Sequence, residues 1–181
     1  KTVVGSVKMC IRDSFIIISG LICGIGMYYF QVYAFYHTVI LNGSNDVVLM
    51  DRAGGESQAI AYFGFQAIDS LSSPIRYRAC FKTETKITHL RNRYKMIDDA
   101  VPLNAPRWFE CFDAKKIGAA IEDGTADSFL SIQHVIYGID RIVTILPNGQ
   151  GYSWNRINHC GKRAFDGKSL PPDCPAPPES P

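Results

Sequence analysis

A long segment without charged side chains lies near the start of the chain. Residues 14–45 contain no Asp, Glu, Lys or Arg, and residues 15–36 are mostly apolar. About 20 apolar residues in a helix cross the roughly 30 Å hydrocarbon core of a bilayer. Every face of this segment is apolar, which disfavours the half-buried helix of a soluble domain. We therefore predict a transmembrane helix over residues 15–38.

Charges before the apolar segment predict its orientation. The charged residues that precede it are three cations and one anion, namely Lys1, Lys8, Arg12 and Asp13. Basic residues next to a span favour the cytoplasmic side, so we expect residues 1–14 in the cytoplasm. The string of residues 8–14 also resembles translated adapter sequence, which reduces the weight of these charges.

The far end of the segment supports the same orientation. Tyr and Phe crowd residues 28–36, as is typical of the interface between membrane and water. The main alternative is a cleaved signal peptide. Residues 34–36 are a poor small-x-small cleavage site, and the apolar run exceeds the 7–15 residues usual in such peptides. We favour a retained anchor in a bacterial inner membrane, with residues 39–168 forming a periplasmic domain.

Two glycines inside the segment predict a contact with another helix. Gly20 and Gly24 have G-x-x-x-G spacing, which lets two helix backbones approach closely. Because glycine is common in membrane helices, this spacing indicates a packing face without specifying the partner. The anchor therefore predicts contacts with the lipid bilayer and with a membrane-protein partner.

The part after the anchor has the size of one ordinary domain, roughly 140 residues. Of the 19 basic residues in the chain three precede the anchor, and of the 17 acidic residues one does, so the remainder has no basic excess. We therefore expect no nucleic-acid partner. The tail of residues 169–181 is Pro-rich and predicted to be extended, and it stops without a closing feature, as a truncated chain would.

Four cysteines in this domain predict disulfides and an oxidising compartment: Cys80, Cys111, Cys160 and Cys174. Of the three possible pairings we prefer Cys80–Cys111 with Cys160–Cys174, on the ground of nesting alone. Free structural thiols and a metal or redox site are alternatives. A metal site is disfavoured because no C-x-x-C pair is present and because His159 is not expected to bind the same ion as its neighbour Cys160. We expect no metal and no cofactor.

Hydrophobic periodicity predicts an α+β domain, in which a small antiparallel sheet packs one face on helices. Residues 46–51, 75–82 and 135–146 are predicted strands, and residues 58–68 are ambiguous. Residues 84–95 form a predicted helix, Asp113 is the expected N-cap of another, and Thr125 is the expected cap of a short helix over residues 126–133. The best hairpin signal is the turn at residues 147–151, with a returning strand at 152–157.

Two surfaces of this domain are predicted interaction sites. Arg76, Arg78 and Lys82 share one face of the predicted strand 75–82, where three cations could bind an anion; a solvated sheet face is the alternative. Trp108 and Phe109 end a Pro-rich loop and could contact a partner, or they could plug the edge of the core.

The sequence contains no catalytic motif that we could identify. The nucleophile-elbow, P-loop, zinc-protease and dinucleotide-binding patterns are absent. The paired carboxylates Asp98-Asp99 and Glu122-Asp123 fall where helix or chain ends are expected, which favours a structural use. Cys160 beside His159 could be a nucleophile with its base, but a disulfide is favoured for this cysteine.

Several strings together resemble a family of uncharacterised alphaproteobacterial single-span proteins. They are residues 24–36, 65–69, 73–81, 99–106, 108–113 and 158–161, and the resemblance extends over the chain from Gly20 onward. The family has no known function, so the resemblance implies no activity. Some members are labelled histidine kinases, but no histidine here has the setting of a phospho-acceptor, and the domain is too short to add an ATP-binding domain. We expect no kinase activity. The histidines are His37, His89, His134 and His159.

The sequence therefore predicts a membrane-anchored periplasmic protein without catalytic activity, which serves as an accessory, assembly or interaction subunit. A small-ligand or anion-binding sensor that uses Arg76, Arg78 and Lys82 is the second hypothesis. A thiol enzyme that uses Cys160 is the third.

Overall fold

The computed structural model describes residues 2–178, with side chains for residues 12–43 and 45–178. The chain divides into two compact units, Lys1–Tyr36 and His37–Pro181. The side chains of Lys1 and Lys8 and the last three residues of the Pro-rich tail lie outside the described part.

The first unit is a long apolar helix. Helix α1 spans Thr2–Tyr29 and continues as a π-helical turn over Phe30–Ala34. The segment Arg12–Ala34, of 23 residues, is long and apolar enough to cross a membrane, and none of it is buried in the protein. The predicted apolar helix is therefore confirmed, but its predicted end at residue 38 is wrong. Residues 37 and 38 are a strand, because their backbone pairs with residues 68 and 69.

The second unit contains one antiparallel sheet of six strands in the order β1-β4-β5-β8-β7-β6. These strands are β1 (His37–Thr38), β4 (Phe63–Asp69), β5 (Arg78–Lys82), β6 (Asp127–Ile136), β7 (Ile139–Ile145) and β8 (Gln150–Ile157). A separate hairpin consists of β2 (Val48–Met50) and β3 (Ser57–Ala59), and the helices are α2 (Ile87–Arg93), α3 (Ala114–Glu122) and α4 (His159–Phe165). The predicted α+β class is confirmed.

One face of the sheet packs against the β2–β3 hairpin and helix α2. Phe129 and Phe81 from the sheet, Leu49 from the hairpin and Leu90 from α2 are all at most 1% exposed. Burying side chains of this size contributes about 1.5–3 kcal/mol each. This cluster is the main core, and its members are Val47, Leu49, Ile60, Phe81, Leu90, Tyr94, Phe129, Val143 and Ile145.

The opposite face of the sheet is covered by the loop between α2 and α3. Because Arg78 pairs with Trp154 and Cys80 with Tyr152, these four side chains share that face. Phe112 from the loop packs edge-on against both Tyr152 and Trp154, with ring centroids 5.8 and 6.2 Å away. The sheet is therefore buried on both faces, and not on one face as predicted.

Three local predictions are wrong. Residues 126–133 form no helix, because residues 127–133 belong to strand β6, in which Phe129 and Leu130 point to opposite buried faces. Thr125 caps no helix and instead bonds Asp123 and Ala120. Residues 135–146 are not one strand, because the chain turns at Gly138, whose φ of 80° suits glycine. The strand predicted over residues 75–82 starts only at Arg78, since Pro74–Arg76 form a 3₁₀ turn.

Other local predictions are confirmed. Asp113 caps helix α3 by accepting hydrogen bonds from the backbone N–H groups of Lys115 and Lys116 at 3.0 and 3.2 Å. Strands β7 and β8 pair as the predicted hairpin. Helix α4 was not predicted, although its N-cap, Asn158, accepts from the N–H of Gly161 in the usual capping geometry.

Helix α4 approaches the β6–β7 turn so closely that its first turn requires glycine. A Cβ atom on Gly161 would collide with the carbonyl oxygen of Gly138 and lie 2.9 Å from its carbonyl carbon. We expect Gly161→Ala to lower the free energy of unfolding by about 1–3 kcal/mol, the usual cost of overpacking. Chemical denaturation of the purified protein measures this loss.

Gly118→Ala in helix α3 is the matched control. Its added methyl would lie 3.6 Å from the Pro102 side chain, which is ordinary contact, and alanine favours helix by about 0.5–1 kcal/mol. Equal effects of the two substitutions would contradict the close approach of α4.

Candidate functional site

A cleft of about 390 Å³ lies at the end of strands β7 and β8, where helix α4 begins. Strands β7 and β8 place Asp140 and Arg156 opposite one another, and the chain enters α4 directly after β8. The polar residues of the lining are Asp99, Asp140, Arg156, Asn158, His159 and Lys162, and the apolar ones are Ile75, Val101, Leu103 and Ile157.

Arg156 is the central cation of the cleft. Its Nη1 atom donates to the carboxylate of Asp99 at 2.6 Å and to the backbone carbonyl of Asp99 at 3.0 Å. Its Nε atom is buried and has no hydrogen-bond partner among the described residues. A buried donor without an acceptor is costly and is usually satisfied by water or a ligand. The Nε–H group of Arg156 can therefore donate one further hydrogen bond.

The charge of Asp99 is stabilised by this arrangement. The hydrogen bond from Arg156 lowers the pKa of the Asp99 carboxyl, and the positive charges of Arg156 and Lys162 act in the same direction. The cleft lining therefore combines the cations Arg156 and Lys162 with the paired and ionised carboxylate of Asp99 and the carboxylate of Asp140.

One residue of the cleft lining, Asp140, has a buried carboxylate. Asp140 accepts hydrogen bonds from the backbone N–H of His134 at 3.0 Å and from Nδ2 of Asn158 at 2.8 Å. His134 has a positive φ of 52°, and its Nδ1 accepts from the N–H of Gly138. Asp140 therefore joins the last part of β6 to the start of α4, and its two bonded partners favour a structural role.

The three cations predicted to form an anion site do not share a surface. Arg76 lies in the 3₁₀ turn before β5, and Lys82 is exposed at the far end of the strand. Arg78 is only 4% exposed and donates to the backbone carbonyls of Ile75, Tyr77, Leu103 and Asn104. The predicted cationic face is wrong because the loop between α2 and α3 covers Arg78. Sequence periodicity does not show that a distant loop covers this strand.

The remaining predicted interaction residues have separate positions. Phe109 is buried, and Trp108 is partly exposed with its ring edge-on to Phe109 at 6.3 Å. The alternative prediction, in which Trp108 and Phe109 fill the edge of the core, fits Phe109 because its side chain is buried. Gly20 and Gly24 lie in α1, where a methyl group added to either would meet nothing within 4 Å.

The paired carboxylates Asp98-Asp99 and Glu122-Asp123 take part in separate local contacts. Within the first pair Asp99 bonds Arg156, and within the second Asp123 accepts from the backbone and hydroxyl of Thr125 at 2.9 and 2.6 Å. Neither pair places two carboxylates against a common space, which agrees with the structural use expected from the sequence.

The four domain cysteines form the disulfides Cys80–Cys111 and Cys160–Cys174, which is the preferred pairing. The argument that His159 cannot share an ion with Cys160 is wrong in geometric terms. The Nε2 atom of His159 lies 3.4 Å from Sγ of Cys160, because both residues belong to the first turn of α4. The same Nε2 lies 2.8 Å from a carboxylate oxygen of Asp173.

A sequence profile described as a family of unknown function (DUF6446) matches residues 47–175. The chain belongs to this family. The expected resemblance to an uncharacterised family is thereby confirmed. No curated protein and no solved structure matches the chain significantly. The region matched to DUF6446 contains both disulfides and the whole lining of the cleft, whereas helix α1 precedes it.

Sequence reasoning missed the cleft of this DUF6446 domain. Asp99 and Arg156 are separated by 57 positions, and no short motif connects them. The capping signal at Asn158 could have revealed helix α4, and with it the placement of His159 and Lys162. Alternation along β8 could also have placed Arg156 on the same face as Trp154.

The Asp99–Arg156 pair predicts a small, pH-dependent contribution to stability. Because the pKa of Asp99 is lowered in the folded state, the contribution is present above the unfolded pKa of about 3.9 and is lost as the pH falls through the folded value. Asp99 is 79% exposed, so solvent screening limits the contribution. We expect Asp99→Asn to lower the free energy of unfolding at pH 7 by at most about 1 kcal/mol.

Denaturant titrations at pH 7 and in the acid range measure this difference. It should shrink as the pH falls below the range in which Asp titrates, and added salt should reduce it at pH 7. Asp98→Asn, in the exposed neighbouring position, is the control. A deficit of Asp99→Asn that persists unchanged in acid would contradict the ion pair.

Proposed function

We propose that this chain is a single-span envelope protein that binds a partner in the membrane through its apolar helix and has no catalytic activity. The observation that carries the proposal is the combination of an unburied apolar helix with a domain that contains two disulfides. Stable disulfides favour an oxidising compartment, and an apolar helix of this length favours a membrane next to it. The proposed location is the inner membrane, with the N-terminus in the cytoplasm and the domain in the periplasm.

Helix α1 supplies the proposed contact with the partner. Gly20 and Gly24 are four residues apart and therefore lie on one side of the helix. Since a methyl group at either position would meet nothing within 4 Å, the chain itself leaves this side open. In a bilayer such small-residue faces allow close packing of a second helix.

The setting of the polar groups supports a role without catalysis. Asp99 is paired with Arg156, Asp140 is hydrogen-bonded to Asn158, and Cys160 is bonded to Cys174. A catalytic acid, base or nucleophile needs a proton or an electron pair that is available to a substrate. The proposal also includes the absence of histidine kinase activity, which is supported by the short domain and by the hydrogen bonds of His134 to Gly138 and of His159 to Asp173.

Substitution of the glycine face tests the interaction. We expect Gly20→Leu combined with Gly24→Leu to reduce crosslinking of the full-length protein in its native membrane to a minor fraction, because leucine side chains keep the helices apart. The measurement is in-membrane crosslinking followed by purification and mass spectrometry.

Gly26→Leu is the matched control. Gly26 is also in α1, and a methyl group there also meets nothing within 4 Å, but two residues of helix place it about 200° around the axis from Gly24. If a stoichiometric partner is still crosslinked after the double substitution, the face of Gly20 and Gly24 is not the site of contact. A wild-type protein that is never crosslinked to any membrane protein would contradict the proposed function.

A second function, binding of a small anionic ligand, is favoured by Arg156 and Lys162, two cations that line the same cleft. A carboxylate-bearing molecule could accept hydrogen bonds from both side chains. This replaces the anion site predicted at Arg76, Arg78 and Lys82.

Thermal unfolding in the presence of small mono- and dicarboxylates tests this second function. A ligand that binds only the folded state raises the melting temperature as its concentration rises. We expect Lys162→Ala to abolish the increase and Arg163→Ala, at the exposed neighbouring position on α4, to retain it. The hypothesis fails if no carboxylate stabilises the wild-type domain, or if both variants respond equally.

A further inference from the structure

Three groups that can bind a metal ion converge at the start of helix α4. The ligand atoms of His159, Cys160 and Cys174 all lie within 4.8 Å of one another. Asp173, next to Cys174 in the chain, places a carboxylate oxygen 2.8 Å from Nε2 of His159. Imidazole nitrogen, two sulfurs and a carboxylate oxygen are the ligand types that Zn²⁺ prefers.

One distance in the cluster already fits a tetrahedral ion. With metal–ligand bonds of about 2.0–2.3 Å, the ligand atoms of a tetrahedral Zn²⁺ site are separated by about 3.3–3.8 Å. The 3.4 Å between His159 Nε2 and Cys160 Sγ lies within this range, and the 2.8 Å to Asp173 requires a small outward movement. The two sulfur atoms are bonded to each other and must separate on reduction before both can bind the ion. His159 and Asp173 can move, because their side chains are 60% and 68% exposed.

Both parts of this cluster are held in place by the fold. Asn158 caps the first turn of α4, which fixes the exposed His159 next to the buried Cys160. The tail returns to the same place through the hydrogen bonds Cys174 N–H to the Pro171 carbonyl and Tyr137 hydroxyl to the Pro175 carbonyl. The cluster therefore depends on more than the disulfide alone.

We propose that His159, Cys160, Asp173 and Cys174 form a redox-gated Zn²⁺ site. While the disulfide is intact, neither sulfur is a thiolate and the site binds no Zn²⁺. A dithiol reductant transfers two electrons and two protons to the Cys160–Cys174 bond, which yields two thiols and an oxidised dithiol. Zn²⁺ then displaces the two thiol protons to solvent and is bound by two thiolates, neutral His159 and ionised Asp173. This site goes beyond the proposed interaction role and does not depend on it.

The other disulfide provides an internal comparison. Within the described part of the chain the His159 cluster is where at least three metal-binding groups converge, and Cys80 and Cys111 do not belong to it. Reduction of Cys80–Cys111 should therefore yield thiols without creating a Zn²⁺ site. Only the Cys160–Cys174 disulfide should couple its redox state to metal binding.

The experiment measures Zn²⁺ and Co²⁺ binding by the full-length protein in detergent, before and after reduction with a phosphine that does not chelate metals. We expect the reduced protein to bind one Zn²⁺ per chain and the oxidised protein to bind none. Co²⁺ should give the intense visible absorption of a tetrahedral thiolate site. His159→Ala should weaken Zn²⁺ binding at least about tenfold, Asp173→Ala should weaken it less, and His89→Ala, at an exposed histidine elsewhere, should leave it unchanged.

Two further measurements keep the result interpretable. Alkylation and mass spectrometry establish that Cys160 and Cys174 are reduced, and circular dichroism establishes that the reduced protein is folded. The proposal is overturned if the folded, reduced protein binds no stoichiometric Zn²⁺, or if His159→Ala binds it as tightly as the wild type. It is also overturned if Zn²⁺ binds only after the domain unfolds, or if Cys160→Ser with Cys174→Ser retains the site.

Discussion

The domain depends on one buried cation, the guanidinium of Arg78. This group lies on the face of the central strand β5 and donates to the carbonyls of Leu103 and Asn104 in the covering loop. A buried charge without such acceptors would cost several kcal/mol, so the loop and the cation require each other. The Cys80–Cys111 disulfide fixes the same loop two residues further along the strand. Because the loop carries Asp99 and Val101, this attachment also positions one wall of the cleft.

The other wall depends on how helix α4 is joined to the sheet. Asp140 and Asn158 connect the last part of β6 to the first turn of α4, and Gly138 and Gly161 allow the two backbones to touch. A fixed helix start gives defined positions to side chains that would otherwise be mobile on the surface. His159 is the clearest case, since it lines the cleft and also contacts Cys160 and Asp173. The close packing of Gly138 and Gly161 therefore helps to determine which groups surround the exposed His159.

Local signals in the sequence were sufficient where the local structure is self-contained. The Asp113 cap and the turn that contains Gly149 depend on residues within a few positions, so they could be predicted. Residues 126–133 could not, because both a capped helix and a strand fit their pattern. The strand prevails because Ser128 bonds Thr144 across the sheet and Phe129 enters the main core. The prediction for Arg78 was wrong for the same reason, because its hydrogen-bond acceptors come from a loop about 25 residues away in the chain.

The cleft and the His159 cluster meet at a single side chain, which connects their chemistry. With the disulfide intact, Asp173 holds Nε2 of His159 through a hydrogen bond, and the imidazole stays beside Lys162 at the rim of the cleft. A metal ion at the cluster would bind that same nitrogen and bring a positive charge next to the rim. Two thiolates and the Asp173 carboxylate would exceed this charge by one, which equals the single negative charge that Asp173 gives the cluster while the disulfide is intact. Binding of Zn²⁺ would therefore leave the net charge beside the cleft unchanged, and the redox state of the Cys160–Cys174 bond would act on the cleft only through the position of the His159 imidazole.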